Sequence, residues 1–297
     1  MKNTIITHNH LAIMKKAAIK AGQIALNLRE CAINIGKHIG QSPTGSDNWD
    51  NKAYLSMADL SCQSNILHIL GKDYRYCGVY TEEHSDQVNQ LISYFSHKNC
   101  LIKDKYTFII DPIDGSKNYL NKGSKNANYF GISIALAFGK NIIAGVIYYP
   151  AINTLLETRL NFGTYINKQR IIFNPREKIS LNSPVRISST MKHFYDYFPN
   201  NQNFGASCYN TLALLRGVIF AYFVKKTMLL DFSCMALAIT EAGGFCGDIH
   251  SKPIKIADII REEKGDLILD NFILLTSSID NHRQLISQIQ NKAPFSC

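Results

Sequence analysis

The chain has 297 residues, 46% of them hydrophobic and 19% charged, the balance of a globular protein able to bury a large core. Its longest apolar runs, such as residues 218–224, are too short to span a bilayer, and the opening residues lack the apolar core of a signal peptide. The formal charge of +9 is spread along the chain, compatible with a polyanionic partner or a small anionic substrate, and the eight scattered cysteines show no CxxC or metal-finger spacing, which argues for free thiols in a reducing cytoplasm.

Residues 11–30 place Leu11, Met14, Ala17, Ala18, Ala21, Ile24, Ala25 and Leu28 at helical spacing with a basic outer face, which predicts an amphipathic helix. Residues 41–51 form a polar breaker segment that carries the single tryptophan, Trp49, and reads as a loop over the site or as a chance exposed aromatic. A second helix is expected over about 53–70, with Leu55, Leu60, Ile66, Leu67 and Leu70 inward and Gly71 stopping it. Val79 and Tyr80 end a short strand, Thr81, Glu82 and Glu83 come directly after it, and residues 86–103 hold a short helix and a loop. The Ile- and Phe-rich run from Thr107 is a buried strand that ends at Asp111, where Pro112 forbids further ladder pairing. Asp114 comes next, Gly115 permits a tight turn, and Ser116 and Asn118 suit that turn and the cap of the succeeding element.

Residues 130–138 and 142–149 flank Gly139, Lys140 and Asn141 as a β-hairpin, and short strands at 155–159 and 164–167 extend an antiparallel sheet. The polar stretch 173–184 is the expected boundary between an N-terminal lobe (1–180) that carries most of the candidate site and a C-terminal lobe (181–297) that supplies Asp231. Beyond it come a helix at about 210–218, a strand at 221–224 and a helix at 232–242 ended by Gly243 and Gly244. Strands near 245–248 and 272–275 and a helix at about 281–291 complete a layered α/β lobe.

Two carboxylates at the carboxyl end of a strand, beside free backbone N–H groups, make a place for a hard cation and a phosphate. A bare DPxD string is also an ordinary Asx-rich turn, and Asp59, Glu82, Glu83 and Asp231 are singly compatible with solvated acids or helix caps. Their order carries more. The run Asp111–Ser116 with Asn118 and Tyr119 resembles the DPIDGTxNF signature of the inositol monophosphatase superfamily. Met57-Ala58-Asp59 resembles that superfamily's T-A-D, Thr81-Glu82-Glu83 its GEE turn, and Leu230-Asp231 running to Glu241-Ala242-Gly243-Gly244 its W-D helix ending in EAGG.

The resemblance covers the chain from about residue 11 to 290. It implies an α+β layered fold, an αβαβα sandwich of the sugar-phosphatase type, and a phosphomonoesterase that uses two or three Mg²⁺ ions. By that likeness Glu82, Asp111 and the Ile113 carbonyl hold one ion, while Asp111, Asp114 and Asp231 hold another. Asp59 and Ser116, with Glu82, orient the attacking water, and the backbone N–H groups of Gly115 and Ser116 cradle the phosphate. Three departures stand out: Thr81 for Gly, Ser116 for Thr with its hydroxyl kept, and Leu230 for Trp. The long stretch between Glu82 and Asp111 implies an insertion around 86–104.

The inositol monophosphatase branch carries two acids upstream of its W-D, and Phe220 and Val224 stand there in this chain, with Lys225 and Lys226 directly after. Positive charge in place of acids favours a substrate with a second anionic group, although these lysines equally suit a solvated face. Lys117 in Asp-Gly-Ser-Lys and the run Val146–Asn153 resemble the DGTK and VYxPxxN forms of the 3′(2′),5′-bisphosphate nucleotidase branch. Gly205-Ala206-Ser207 is a partial match to its Gly-Ser-Ser, with Tyr209 where Lys is common. Gly115, Ser116, Lys117, Ala206, Ser207 and Lys225 are accordingly the expected substrate contacts. The expectation is a lithium-sensitive phosphatase that removes the 3′-phosphate of adenosine 3′,5′-bisphosphate, cytoplasmic, a homodimer, with no membrane or nucleic-acid partner. An inositol-1-monophosphatase or other sugar monophosphatase is the alternative, and a non-catalytic partner of the transcription machinery is the alternative from a different class.

Overall fold

The computed structural model describes residues 8–33, 56–174, 178–263 and 265–292. The loop expected at 41–51, Trp49 and the first residues of the second predicted helix lie outside them. Two helices cover one face of the first sheet. Helix α1 (His8–Leu28) continues into a 3₁₀ turn (Arg29–Cys31), and α2 spans Met57–Gly71. The predicted inward stripe of α1 is buried at Met14, Ala17, Ala18, Ala21 and Ala25. Those small residues let α1 lie close on the sheet: a Cβ on Gly22 would come within 2.5 Å of the Tyr148 ring.

The first sheet is a seven-stranded meander in chain order: β1 (Gly78–Thr81), β2 (Tyr106–Asp114), β3 (Gly131–Phe138), β4 (Asn141–Tyr149), β5 (Thr154–Arg159), β6 (Gly163–Ile166) and β7 (Gln169–Ile171). Only β1 and β2 run parallel, as their connection through α3 (Asp86–Ile92) requires, and every later pair is antiparallel. The short helix α4 (Ser116–Leu120) comes directly after β2. Alternation along β2 sorts the two faces: Phe108 and Ile110 pack with α1 and α2, while Ile109 faces the other way.

On that other face lie α5 (Ser207–Leu215) and α6 (Leu229–Glu241). Behind them stands a four-stranded sheet in the order β11-β14-β9-β8, where β8 is Val185–Ile187, β9 Ala221–Val224, β11 Phe245–Gly247 and β14 Ile273–Thr276. Helix α8 (Ile279–Lys292) and a 3₁₀ stretch (Ser189–Tyr197) cover its outer face. The layers are therefore helix, sheet, helix, sheet, helix, the predicted αβαβα sandwich. A small third sheet comprises β10 (Thr227–Met228), β13 (Asp266–Leu269) and β12 (Ile260–Glu263), the last directly preceded by the one-turn helix α7 (Ile256–Ile259). No helix among the described residues is long and apolar enough to cross a membrane.

Several elements differ from the sequence expectation. Strand β2 does not stop at Asp111. It runs on to Asp114, with Asp111 opposite Ser133 and Asp114 opposite Gly131, so one extra residue is accommodated in a bulge at Pro112 and Ile113. Proline is tolerated there because a bulge leaves its position out of the ladder. Helix α5 begins at Ser207 and not near 210, because its cap is supplied from a distant strand. Helix α6 begins at Leu229 rather than Phe232, which puts Asp231 inside the first turn. The second sheet is mixed, with only β8 and β9 parallel. The β12–β13 hairpin was not expected, since the charged run Arg261-Glu262-Glu263 hides its alternation.

Glu241, at the end of α6, holds the first sheet to this helix. Its two carboxylate oxygens accept from the N–H groups of Asn161 and Gly163, both at 2.9 Å, in the turn between β5 and β6. Replacing Glu241 with Ala is expected to lower stability by about 2 kcal/mol, since both bonds are charge-assisted. Urea denaturation checks this, and an unchanged midpoint would show that the turn holds without its clamp.

Candidate active site

The bulge in β2 decides the geometry of the site. Residues three apart on a regular strand point to opposite faces, and one inserted residue restores them to the same face. Asp111 and Asp114 consequently share the face toward α5 and α6, where Asp231 comes down from the first turn of α6. One carboxylate oxygen from each of the three lies within 4.8 Å of the others. Gly115 turns the chain away at φ +93°, a left-handed conformation, and any Cβ there would sit 2.8 Å from both the Ala206 Cβ and the Tyr129 carbonyl oxygen.

Helix α2 holds the second half of the site. Ser56 caps it in a box with Asp59: the Ser56 N–H and Oγ–H donate to Asp59 Oδ2 at 2.8 and 2.7 Å. Asp59 Oδ1 accepts from Ser116 Oγ at 3.0 Å, and the Ile113 carbonyl oxygen lies 2.9 Å from the same hydroxyl. One turn along α2, the fully buried amide of Gln63 grips the backbone of Glu83, donating to its carbonyl at 2.6 Å and accepting from its N–H at 3.0 Å. The parallel ladder fixes Thr81 on the other side. Glu82 is thus held from both sides, and its charge is felt by Asp111 and by Asp59.

The remaining predicted contacts are placed unevenly. Helix α5 aims its N-terminus at Asp114, whose carboxylate accepts from the Ser207 N–H at 3.1 Å and from the Cys208 N–H. Ala206 has no capping side chain, so Asp114 serves as the cap, and the Ser207 N–H is engaged by a carboxylate in the place where a substrate contact was expected. Ala206 is buried against Gly115. Lys117 and Lys225 are exposed. Of the positions read as lost acids, Val224 is buried and Phe220 half-buried. Gln63, Ser56 and Cys208 were missed from sequence. The first two left a signal, a Ser-x-x-Asp box and a four-residue spacing from Asp59 on one helix face, whereas nothing local marks Cys208.

Burial, then the charges of Glu82, Asp114 and Asp231, push the Asp111 carboxyl well above the usual carboxylate range. Burial raises Asp114 as well, against the bonds from Cys208 and Ser207, and raises Asp59 against the bonds from Ser56. Asp111 Oδ1 is buried without a hydrogen-bond partner. An all-oxygen donor set with an orphaned carboxylate oxygen suits a hard divalent cation, so the residues present fit the metal that the resemblance implies.

A family model described as the inositol monophosphatase family matches residues 9–293. A fructose-1,6-bisphosphatase/inositol-1-monophosphatase of Aquifex aeolicus is 24% identical, over 89% of this chain and 94% of its own length. An inositol-1-monophosphatase of Mesorhizobium japonicum is 27% identical, over 80% and 85%. A Nus factor SuhB of Xylella fastidiosa is 24% identical, over 87% and 89%. Among solved structures, an IMPase of Thermotoga maritima superposes with a TM-score of 0.73 at 18% identity, covering 96% of this chain and 97% of that one.

The raised carboxyls fix the sign of the metal's effect on stability. Without a cation, crowded carboxylates destabilise the fold above their raised pKa values, and this penalty fades as pH falls through them and the folded state takes up protons. A cation relieves the same repulsion at neutral pH, so Mg²⁺ is expected to raise Tm more at pH 8 than at pH 5. Scanning calorimetry at both values tests it, and an equal shift at both would remove Asp111 and its neighbours from the binding site. Gln63→Met keeps the size and loses both bonds to Glu83, and is expected to weaken Mg²⁺ binding by about tenfold or more. Titration calorimetry reads that affinity directly.

Proposed function

The chain belongs to the inositol monophosphatase family, and from that premise we propose that it is a magnesium-dependent, lithium-sensitive phosphatase that removes the 3′-phosphate of adenosine 3′,5′-bisphosphate. The observation that carries the hydrolytic reading is the meeting of Asp111, Asp114 and Asp231 within 4.8 Å, from two sheet positions and a helix separated widely in sequence. Glu82, Asp111 and the Ile113 carbonyl, and Asp111, Asp114 and Asp231, are the residues that would hold the two ions. Bound there, Mg²⁺ supplies Lewis-acid neutralisation of phosphoryl charge and a more acidic water.

The chain's own groups do the rest. Ser116 Oγ and Asp59 Oδ1, 3.0 Å apart, orient the water that attacks phosphorus. The turn at Gly115 presents its own N–H and that of Ser116 to the phosphoryl oxygens. As the new P–O bond forms, the ester P–O bond breaks, and the products are inorganic phosphate and the 3′-hydroxyl. Asp59 is oriented by the bonds from Ser56 and Glu82 by the grip of Gln63 on Glu83, so the polar groups move little as charge develops.

A nucleotide bearing two phosphates is supported by valine at 224 and phenylalanine at 220 where the resemblance places acids, and by the exposed Lys117 and Lys225. The names of the relatives support a second reading, hydrolysis of inositol 1-phosphate or a sugar phosphate.

Phosphate release with Mg²⁺ is expected to be faster from adenosine 3′,5′-bisphosphate than from inositol 1-phosphate, and lithium should inhibit it. Faster release from inositol phosphate would establish the second reading. Release from neither would favour a non-catalytic role with the transcription machinery, for which a relative is named. Asp111→Asn should cut kcat by at least about a thousandfold with the fold intact, since it removes a carboxylate that would help to hold both ions. Retained turnover would sink the metal assignment.

A further inference from the structure

We propose that Arg186 is the receptor for a second anionic group on the phosphate ester, and so the residue that selects a bisphosphorylated substrate over a monophosphorylated one. The inference rests on the phosphatase reading above and deepens it, through a residue that none of the motifs includes.

Arg186 is the middle residue of β8. Its neighbours Val185 and Ile187 pack into the core beneath α8, so Arg186 projects from the opposite face of the sheet, toward α5 and α6. In register beside it on the parallel strand β9 is Tyr222, with Val224 next along that face. Tyr222 lies in the field of Arg186, Asp231 and Asp114, next to Asn210 of α5. Arg186 therefore stands on the carboxylate side of the second sheet, in one polar cluster with Tyr222 and Asn210.

Arg186 there is only 9% exposed. One of its amino groups donates to the carbonyl of Ile187, and its Nε–H is buried with no partner. Among the described residues no carboxylate pairs with it. A buried cation without a counter-ion is strongly unfavourable, and a planar fork of N–H donors is completed best by a phosphate or carboxylate. The sequence explains why the fold supplies none. An acid at 224 would lie on the same face of the adjoining strand and would neutralise Arg186, whereas valine leaves its charge to a ligand.

The position suits a substrate. β8 and β9 are the parallel pair of this sheet, and ligands of α/β sheets bind outside the carboxyl ends of such strands. The chain leaving β8 meets the chain leaving β9 where Thr190 Oγ donates to the Lys225 carbonyl at 2.7 Å. From there β9 leads through Thr227 and Met228 directly to Asp231. An ester whose reacting phosphate lies at the three aspartates can extend its second anionic group along this path to Arg186, with exposed Lys225 at the rim. Arg186 touches the group that does not react.

The test compares adenosine 3′,5′-bisphosphate with adenosine 3′-monophosphate, which carries the same scissile ester and lacks the second phosphate. The wild-type protein is expected to prefer the bisphosphate, with Arg186→Met raising its KM by about thirtyfold and Arg186→Lys by less. The loss on the monophosphate should be at least tenfold smaller. Val224→Glu, which leaves Arg186 in place and gives it a counter-ion, should erase the preference independently. Equal losses on both esters in Arg186→Met, or a preference that survives both Arg186→Met and Val224→Glu, would overturn the assignment. A wild-type protein that cleaves both esters without preference would end this inference alone, while one that cleaves no phosphate ester with Mg²⁺ would end the phosphatase reading as well.

Discussion

Mutual repulsion among acids is the constraint on which this architecture depends. Asp111 and Asp114 are buried beside the half-buried Glu82 and Asp231, and like charges so placed oppose folding unless something offsets them. Part of the offset is built in: the N-terminus of α5 meets Asp114. The remainder is left for cations. A site of this kind is unstable by construction when empty, and that instability is what makes it bind metal. The surrounding layers supply rigidity. A seven-stranded meander braced by α1 and α2 on one face and by α5 and α6 on the other holds the carboxylates together against their own repulsion.

Much of this was legible in the chain. The Ile- and Phe-rich run before Asp111, the alanine stripe of α1 and the hairpin at Gly139 arise from local pattern, and the αβαβα order came from the resemblance. The features that escaped are governed by partners far away in sequence. The start of α5 depends on Asp114, a residue from another layer, so Ala206 gave no hint of a cap. Proline at 112 reads as a stop when an unbroken ladder is assumed, while the bulge removes the bond that proline lacks. The β12–β13 hairpin escaped because charge on Arg261, Glu262 and Glu263 masks its alternation. The acids of the site stood in named motifs, but Gln63, which fixes one of them, is a neutral amide whose function appears only when its two bonds are seen to reach Glu83.

The proposed catalytic groups and the proposed specificity groups lie on different layers. The first sheet carries Asp111 and Asp114, α2 carries Asp59, Glu82 stands directly after β1, and Ser116 opens α4. On the second sheet lie Arg186 in β8 and Val224 at the end of β9, with Lys225 directly after it. Asp231 is the link between them, since it belongs to the helix lying between the two sheets.

The bulge at Pro112 and Ile113 has a consequence for how such chains diverge. Which face Asp114 occupies is settled by a residue count, not by the identity of the residues counted. Over evolutionary time, side chains in the bulge can drift while its length cannot, because a single deletion there would turn Asp114 toward α1 and dismantle the site at one stroke. Insertions between Glu82 and Asp111, by contrast, change only how far the chain wanders before it enters β2. At 24% identity to relatives over most of its length, the chain leaves ample room for side chains to differ where only a residue count matters.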